Sequence, residues 1–150
     1  DPFAMLPFIG YNVGNYLKHW FEIGKAGEAD KLPKIFYVNW FRKSDDGRWL
    51  WPGFGENSRV LKWIVERCAG KVDAQETAIG YMPSEDDLYL DGLDVTHEDM
   101  EEILSVDVDG WKAETESIRA HYEDYDARGG KMPQELYDQL DALIERLDNA

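Results

Sequence analysis

From Asn12 to Ile23 the apolar residues Val13, Tyr16, Leu17, Trp20, Phe21 and Ile23 recur at spacings of three and four, the pattern of a helix with one buried face. Gly24 and Gly27 are expected to end it. His19 lies at the edge of that face, where packing is the expected role and a proton shuttle the alternative. Ahead of the helix, Asp1 to Gly10 carries two prolines and two phenylalanines and reads as irregular, buried chain. A polar linker, Gly27 to Pro33, leads to Lys34–Trp40, where the run Ile35-Phe36-Tyr37-Val38 predicts a short strand in a sheet covered on both faces.

Asp45-Asp46-Gly47 signals a turn that returns the chain as a hairpin and brings Phe41 near Trp49. Between Gly55 and Ala69, the residues Val60, Leu61, Trp63, Ile64, Val65 and Cys68 describe a second helix, opened by Glu56-Asn57-Ser58 and stopped by Gly70. Cys68 fits that pattern as a small packed residue. Thr77–Met82 reads as a strand ended by Pro83, and an acidic loop runs on to Val95.

Three helices complete the pattern. Thr96 and Asp99 form a capping pair for one carrying Met100, Ile103 and Leu104. The next begins at Asp109 or Gly110, shows Trp111, Ile118, Tyr122 and Tyr125 on one side, and stops at Gly129-Gly130. The last starts at Pro133, with a stripe of Leu136, Tyr137, Leu140, Leu143, Ile144 and Leu147. The fold class is therefore α/β, an α+β fragment of short strands and packed helices with a C-terminal helical cap. Residues 1–83 are expected to form a ligand-binding part and residues 84–150 an acidic, mainly helical cap.

Charge sharpens this division. The 150 residues carry a net charge of −15, yet residues 1–70 sum to +2 and residues 71–150 to −17. Fourteen of the 20 aromatic residues precede Gly70. An acidic surface repels a polyphosphate backbone, so nucleic acid is not an expected partner. No apolar run approaches the roughly 20 residues a bilayer span requires, and a cytoplasmic location is expected. With Cys68 as the single cysteine, no internal disulfide can form.

The candidate chemistry lies between Asn39 and Arg59, where five of 21 residues are aromatic: Trp40, Phe41, Trp49, Trp51 and Phe54. Gly53 and Gly55 flank Phe54 and permit a tight bend and close approach of a ligand. Asn57 offers both a donor and acceptors. Rings beside an amide suit a planar base, with stacking contributing about 1–3 kcal/mol per base; the plain alternative is an aromatic core. Arg59 is suited to a ligand phosphate or to an ion pair with Glu56. Ser84-Glu85-Asp86-Asp87 reads as a solvated acidic loop, since consecutive carboxylates do not converge on a cation without special geometry. No Gly-x-x-x-x-Gly-Lys-Ser/Thr phosphate loop occurs in the sequence.

The strings Leu32-Pro33-Lys34-Ile35-Phe36-Tyr37-Val38-Asn39-Trp40-Phe41-Arg42-Lys43 and Trp51-Pro52-Gly53-Phe54-Gly55-Glu56-Asn57-Ser58-Arg59-Val60-Leu61, together with Asp1-Pro2-Phe3-Ala4-Met5-Leu6-Pro7-Phe8-Ile9-Gly10-Tyr11-Asn12-Val13-Gly14, closely resemble the GTP-dependent phosphoenolpyruvate carboxykinases. The resemblance is dense over residues 1–67, returns at Ile79-Gly80-Tyr81-Met82-Pro83 and loosens towards Ala150. It implies a C-terminal segment of a gluconeogenic enzyme that converts oxaloacetate and GTP into phosphoenolpyruvate, GDP and carbon dioxide. It further implies a guanine-nucleotide site at Phe41, Trp49, Phe54, Gly55, Glu56 and Asn57, with the rings stacking on the base, Asn57 reading its edge and Trp51 behind them. Trp49 stands where the family usually has Phe. The resemblance places the phosphate loop, the manganese or magnesium ligands and the catalytic residues upstream of this segment, leaving no catalytic or metal-binding residue within it. A monomer is expected for the full-length protein. The rival reading is a non-catalytic aromatic module for a sugar or peptide.

Overall fold

The computed structural model describes residues 2–150. Five α-helices, three short 3-10 helices and one two-stranded sheet make up its regular structure. Contacts gather the chain into two units, one of residues up to Pro33 together with Asp107–Ala150, the other Lys34–Val106.

In the first unit Pro2–Phe8 forms a 3-10 helix, mostly exposed, where the sequence suggested irregular buried chain. Pro7 is tolerated inside it because short 3-10 segments impose few hydrogen-bond demands. Helix α1 spans Val13–Ala26, and the Asn12 side chain caps it by accepting from Asn15 N–H at 3.2 Å, which satisfies one of the free amides of the first turn. Gly24 lies inside α1, and the helix ends at Gly27. The predicted apolar face is only partly used. Val13 and Leu17 are buried, whereas Trp20 and Ile23 are exposed, as is His19, so the expected packing role of His19 is not realised here.

Helices α4, Val108–Ala127, and α5, Gln134–Asp148, pack on each other. Asp107 caps α4 by accepting from Gly110 N–H, one residue or two ahead of the start expected from sequence. Leu140 and Leu147 of α5 are almost fully buried, and Lys112–Asp148 and Arg119–Asp141 bridge the pair on its outer side. The apolar centre of the unit is Val13, Leu17 and Met132, ringed by Tyr16, Tyr122 and Tyr137 among others. Two hydrogen bonds fix α1 to the turn after α4: Gly14 N–H to the Gly130 carbonyl at 2.9 Å and Asn12 Nδ2 to the Gly129 carbonyl at 2.7 Å.

The second unit is centred on Trp51, Trp63, Leu88 and Met100, all buried. Trp63 comes from helix α2, Asn57–Cys68, and Met100 from helix α3, His97–Leu104. Thr96 and Asp99 form the capping box expected for α3, each side chain accepting from the other's backbone N–H. Cys68 is exposed at the end of α2, against the packing its spacing suggested, since it falls in the last turn, beyond the stretch covered by the core.

Lys34–Asn39 adopts no regular secondary structure and pairs with no strand among the described residues. Phe36 turns inward and meets Trp63 edge-on, ring centroids 6.1 Å apart, while Ile35 and Tyr37 are exposed at 68% and 91%. The expected doubly covered strand is thus not formed among the described residues, because a strand needs ladder partners and none of these residues pairs with it. The expected single strand Thr77–Met82 is also corrected. It is a hairpin of β1, Gln75–Thr77, and β2, Gly80–Met82, antiparallel with Glu76 opposite Tyr81. Its turn is held by the Thr77 hydroxyl donating to the Gly80 carbonyl at 2.7 Å, and Gly80 has φ +131°, a conformation that breaks a continuous strand and suits glycine. The architecture is mixed: mainly helical, with one small antiparallel sheet. No helix among the described residues is long and apolar enough to cross a membrane.

Candidate functional site

The aromatic stretch folds as its turn signal predicts. Ser44 N–H bonds to the Arg48 carbonyl at 2.9 Å and Leu50 N–H to the Arg42 carbonyl at 3.1 Å, with Gly47 at φ +85° supplying the turn. Asp46 accepts from the Ser44 hydroxyl and the Arg48 N–H; these bonds, the hydroxyl first, hold its carboxyl below the usual range. Lys43 and Trp49 pair across the hairpin, and the Lys43 ammonium sits 4.1 Å from the Trp49 ring centroid, a cation–π contact.

Phe41 and Trp49 meet at 5.9 Å between centroids with planes inclined by 63°. Both face solvent, at 73% and 51% exposure. Large exposed rings side by side are an unusual use of apolar surface in a folded chain. The arrangement is edge-on and does not itself form a parallel slot.

Two arginines that sequence reasoning passed over hold this hairpin. Arg42 donates to the Ile103 carbonyl at 2.8 Å and to the Ser105 hydroxyl at 2.7 Å, so it satisfies acceptors at the C-terminal end of α3, where cations are favoured. Arg48 donates to Oδ1 of Asp99, whose Oδ2 accepts from Thr96 N–H at 3.0 Å. Asp99 is only 6% exposed. The Arg48 hydrogen bond, followed by the Thr96 backbone bond, lowers its pKa, and Asp99 in turn raises that of Arg48. The capping carboxylate of α3 therefore does two jobs. The capping box was legible in the sequence; its attachment to a hairpin 51 positions earlier carries no local signal.

The other half of the site is the entry to α2. Gly53 has φ +74° and ψ −165°, a region open in practice only to glycine. Phe54 follows at φ +50°, with its ring wholly exposed and in contact with no other ring among the described residues. The 3-10 turn Phe54–Glu56 then runs into α2. The Gly55 carbonyl accepts from the Ser58 hydroxyl at 2.6 Å. Glu56 pairs with Arg59, and Arg59 also donates to the Tyr89 carbonyl and lies 5.0 Å from the Tyr89 ring. Of the two roles open to Arg59, the ion pair is the one present. Asn57 accepts from the Trp51 indole N–H at 3.1 Å. Trp51 itself belongs to the buried core, 8% exposed.

The structure therefore brings Phe41 to Trp49 and Trp51 to Asn57. It does not bring Phe54 into contact with another ring, and it engages Glu56 with Arg59.

The acidic loop does not fit a divalent metal. Asp87 is spent on Ser84, whose N–H and hydroxyl both lie 2.7 Å from its Oδ2. Glu85 pairs with His97, and among the described residues no group of three or more His, Cys, Asp or Glu converges to hold an ion.

Residues 1–146 match the family model described as the phosphoenolpyruvate carboxykinase C-terminal P-loop domain. Similar proteins carry the name phosphoenolpyruvate carboxykinase (GTP): that of Renibacterium salmoninarum is 54% identical over 147 residues, covering 98% of this chain. That of Treponema pallidum is 50% identical over 150 residues, and that of Neocallimastix frontalis 54% over 151 residues, each covering the whole chain. The chain belongs to the GTP-dependent phosphoenolpyruvate carboxykinase family. It spans about 24% of the length of these relatives.

Proposed function

We propose that this chain supplies the guanine-base site of a GTP-dependent phosphoenolpyruvate carboxykinase, a gluconeogenic enzyme acting in the cytoplasm on oxaloacetate and GTP. Phe41, Trp49 and Phe54 stack on the base, and Asn57, with the backbone of Gly55 and Glu56, reads its edge. The observation that carries the reading is the pair of exposed rings, Phe41 against Trp49, on a hairpin that leads through a glycine bend into the helix headed by Asn57, in a chain of this family.

The division of labour follows from what is present. Base contacts bind and orient the nucleotide without touching the reacting phosphoryl group, so they act about equally on ground and transition states. Phosphate, metal and oxaloacetate are held by parts of the longer protein, since no phosphate loop occurs in these 150 residues and the acidic loop does not fit a metal.

The test is steady-state kinetics on the full-length enzyme. Asn57→Ala should raise KM for the guanine nucleotide about tenfold, the worth of one good hydrogen bond, with kcat nearly unchanged. A large fall in kcat at constant KM would refute the role. Saturable binding of a sugar or peptide with indifference to GDP would instead support a non-catalytic aromatic module.

A further inference from the structure

The Trp51–Asn57 contact has directional content. An indole nitrogen can only donate, so the group it meets at 3.1 Å must be the amide oxygen of Asn57 and not the nitrogen. This fixes which way the amide is turned, a choice that an isolated Asn leaves open. The Asn57 Nδ2 has no partner among the described residues. It is also solvent-accessible, because the only unpartnered side-chain nitrogen or oxygen buried among them is Nε1 of Trp63. Trp51 is held by the core of Trp63, Leu88 and Met100, so the donor that sets the amide is itself packed in place.

Resting on the base-site reading above, we propose that Trp51 is a positioning residue that locks the Asn57 amide in one orientation and thereby selects a 6-oxopurine over a 6-aminopurine. A carboxamide facing a purine edge can donate to a 6-oxo oxygen and accept from N1–H, or, rotated by half a turn, accept from a 6-amino group and donate to a bare N1. The two purine classes demand opposite orientations of the same side chain. With Oδ1 anchored on the indole, Nδ2 remains the outward donor and Oδ1 keeps one lone pair for N1–H. The rotated form, which suits adenine, would strand the buried indole N–H without an acceptor.

The experiment measures dissociation constants of GDP, IDP and ADP for the full-length protein. GDP and IDP should both bind more tightly than ADP, since they share the 6-oxo edge. Trp51→Phe keeps an aromatic ring and removes the N–H. It should narrow the GDP-to-ADP preference by about tenfold, in part by tighter ADP binding, as expected for one hydrogen bond. In an Asn57→Ala background the same substitution should leave the ratio unchanged, because the lock then has nothing to hold. A parallel loss of GDP and ADP affinity in Trp51→Phe, or an unchanged ratio, would mean that Trp51 only packs, and the inference would be overturned while the base site stood. A wild-type protein indifferent to GDP and ADP would overturn both. Should Trp51→Phe not fold, β-(3-benzothienyl)alanine at position 51 keeps the two-ring shape and removes only the N–H, and the same narrowing of the GDP-to-ADP preference should follow; an unchanged ratio would overturn the inference.

Discussion

Gly14 provides the sharpest test of how tertiary contacts override local propensity. It is the second residue of α1, and replacing glycine by alanine within a helix is ordinarily worth up to about 1 kcal/mol of added stability. Here an added Cβ would lie 2.6 Å from the carbonyl carbon of Lys131 and closer still to the carbonyl oxygens of Lys131 and Gly130. Ordinary contact begins near 3.5 Å, so one backbone segment must move away from the other by about 1 Å. That movement breaks the Gly14 to Gly130 hydrogen bond and loosens the Asn12 to Gly129 bond beside it. Overpacking costs about 1–3 kcal/mol and each lost hydrogen bond about 1 kcal/mol. Against a propensity gain of at most about 1 kcal/mol, Gly14→Ala should destabilise by about 2–3 kcal/mol. Gly24 is the internal control: it lies in the same helix, and a Cβ there would meet nothing within 4 Å, so Gly24→Ala should stabilise by about 0.5–1 kcal/mol. Urea unfolding of the two variants beside wild type decides the matter. Equal stabilisation by both would show that α1 does not press on the turn after α4 and would refute the argument.

Two further outcomes follow from the second unit. His97 Nδ1 lies 2.6 Å from a Glu85 carboxylate oxygen, and that bond, then the charges of Glu85 and Glu101, raise its pKa above the ordinary 6.5. Because the folded value exceeds the unfolded one, the pair's stabilisation is full below about pH 6.5 and is lost as pH rises through the folded-state pKa. An NMR titration should find the elevated midpoint, and Glu85→Gln should bring it down; an unmoved midpoint contradicts the assignment. Trp63 is 4% exposed with its indole N–H unpartnered among the described residues. In Trp63→Phe, relief of that unsatisfied donor, about 1–3 kcal/mol, should offset most of the lost packing and leave stability within about 1 kcal/mol of wild type. A loss above about 3 kcal/mol, the ordinary cost of emptying an aromatic site, would show that the indole is hydrogen-bonded after all.

What the sequence determined by itself is local. The hairpin at Asp45-Asp46-Gly47, the Asn12 cap of α1 and the capping box of Thr96 and Asp99 depend on residues within a few positions of one another, and turn and cap chemistry acts at that range. The helices of the C-terminal stretch were legible for the same reason, within a residue or two at their starts. Family membership was legible too, because the motifs around Trp40 and Trp51 are long and nearly unbroken.

Tertiary structure decided what each local element became. Gly24 has the local character of a stop, yet α1 passes through it. Ile35-Phe36-Tyr37-Val38 has strand composition, but strand pairing depends on a neighbour that these residues do not provide. Thr77–Met82 split at the turn of residues 78–79 into two strands. His19 and Cys68 had spacings that fit buried faces, but the faces that a helix buries are chosen by its neighbours, and these positions were left outside. At the candidate site the sequence could place Phe41 beside Trp49 through the turn. It could not say that Arg42 and Arg48 would tie the hairpin to α3, that the core would hold Trp51 against Asn57, or that residues 12–14 would meet residues 129–131. All but the Trp51–Asn57 contact join positions far apart in the chain, and that one depends on where the core holds the indole, so such pairings follow from the packing of the whole unit.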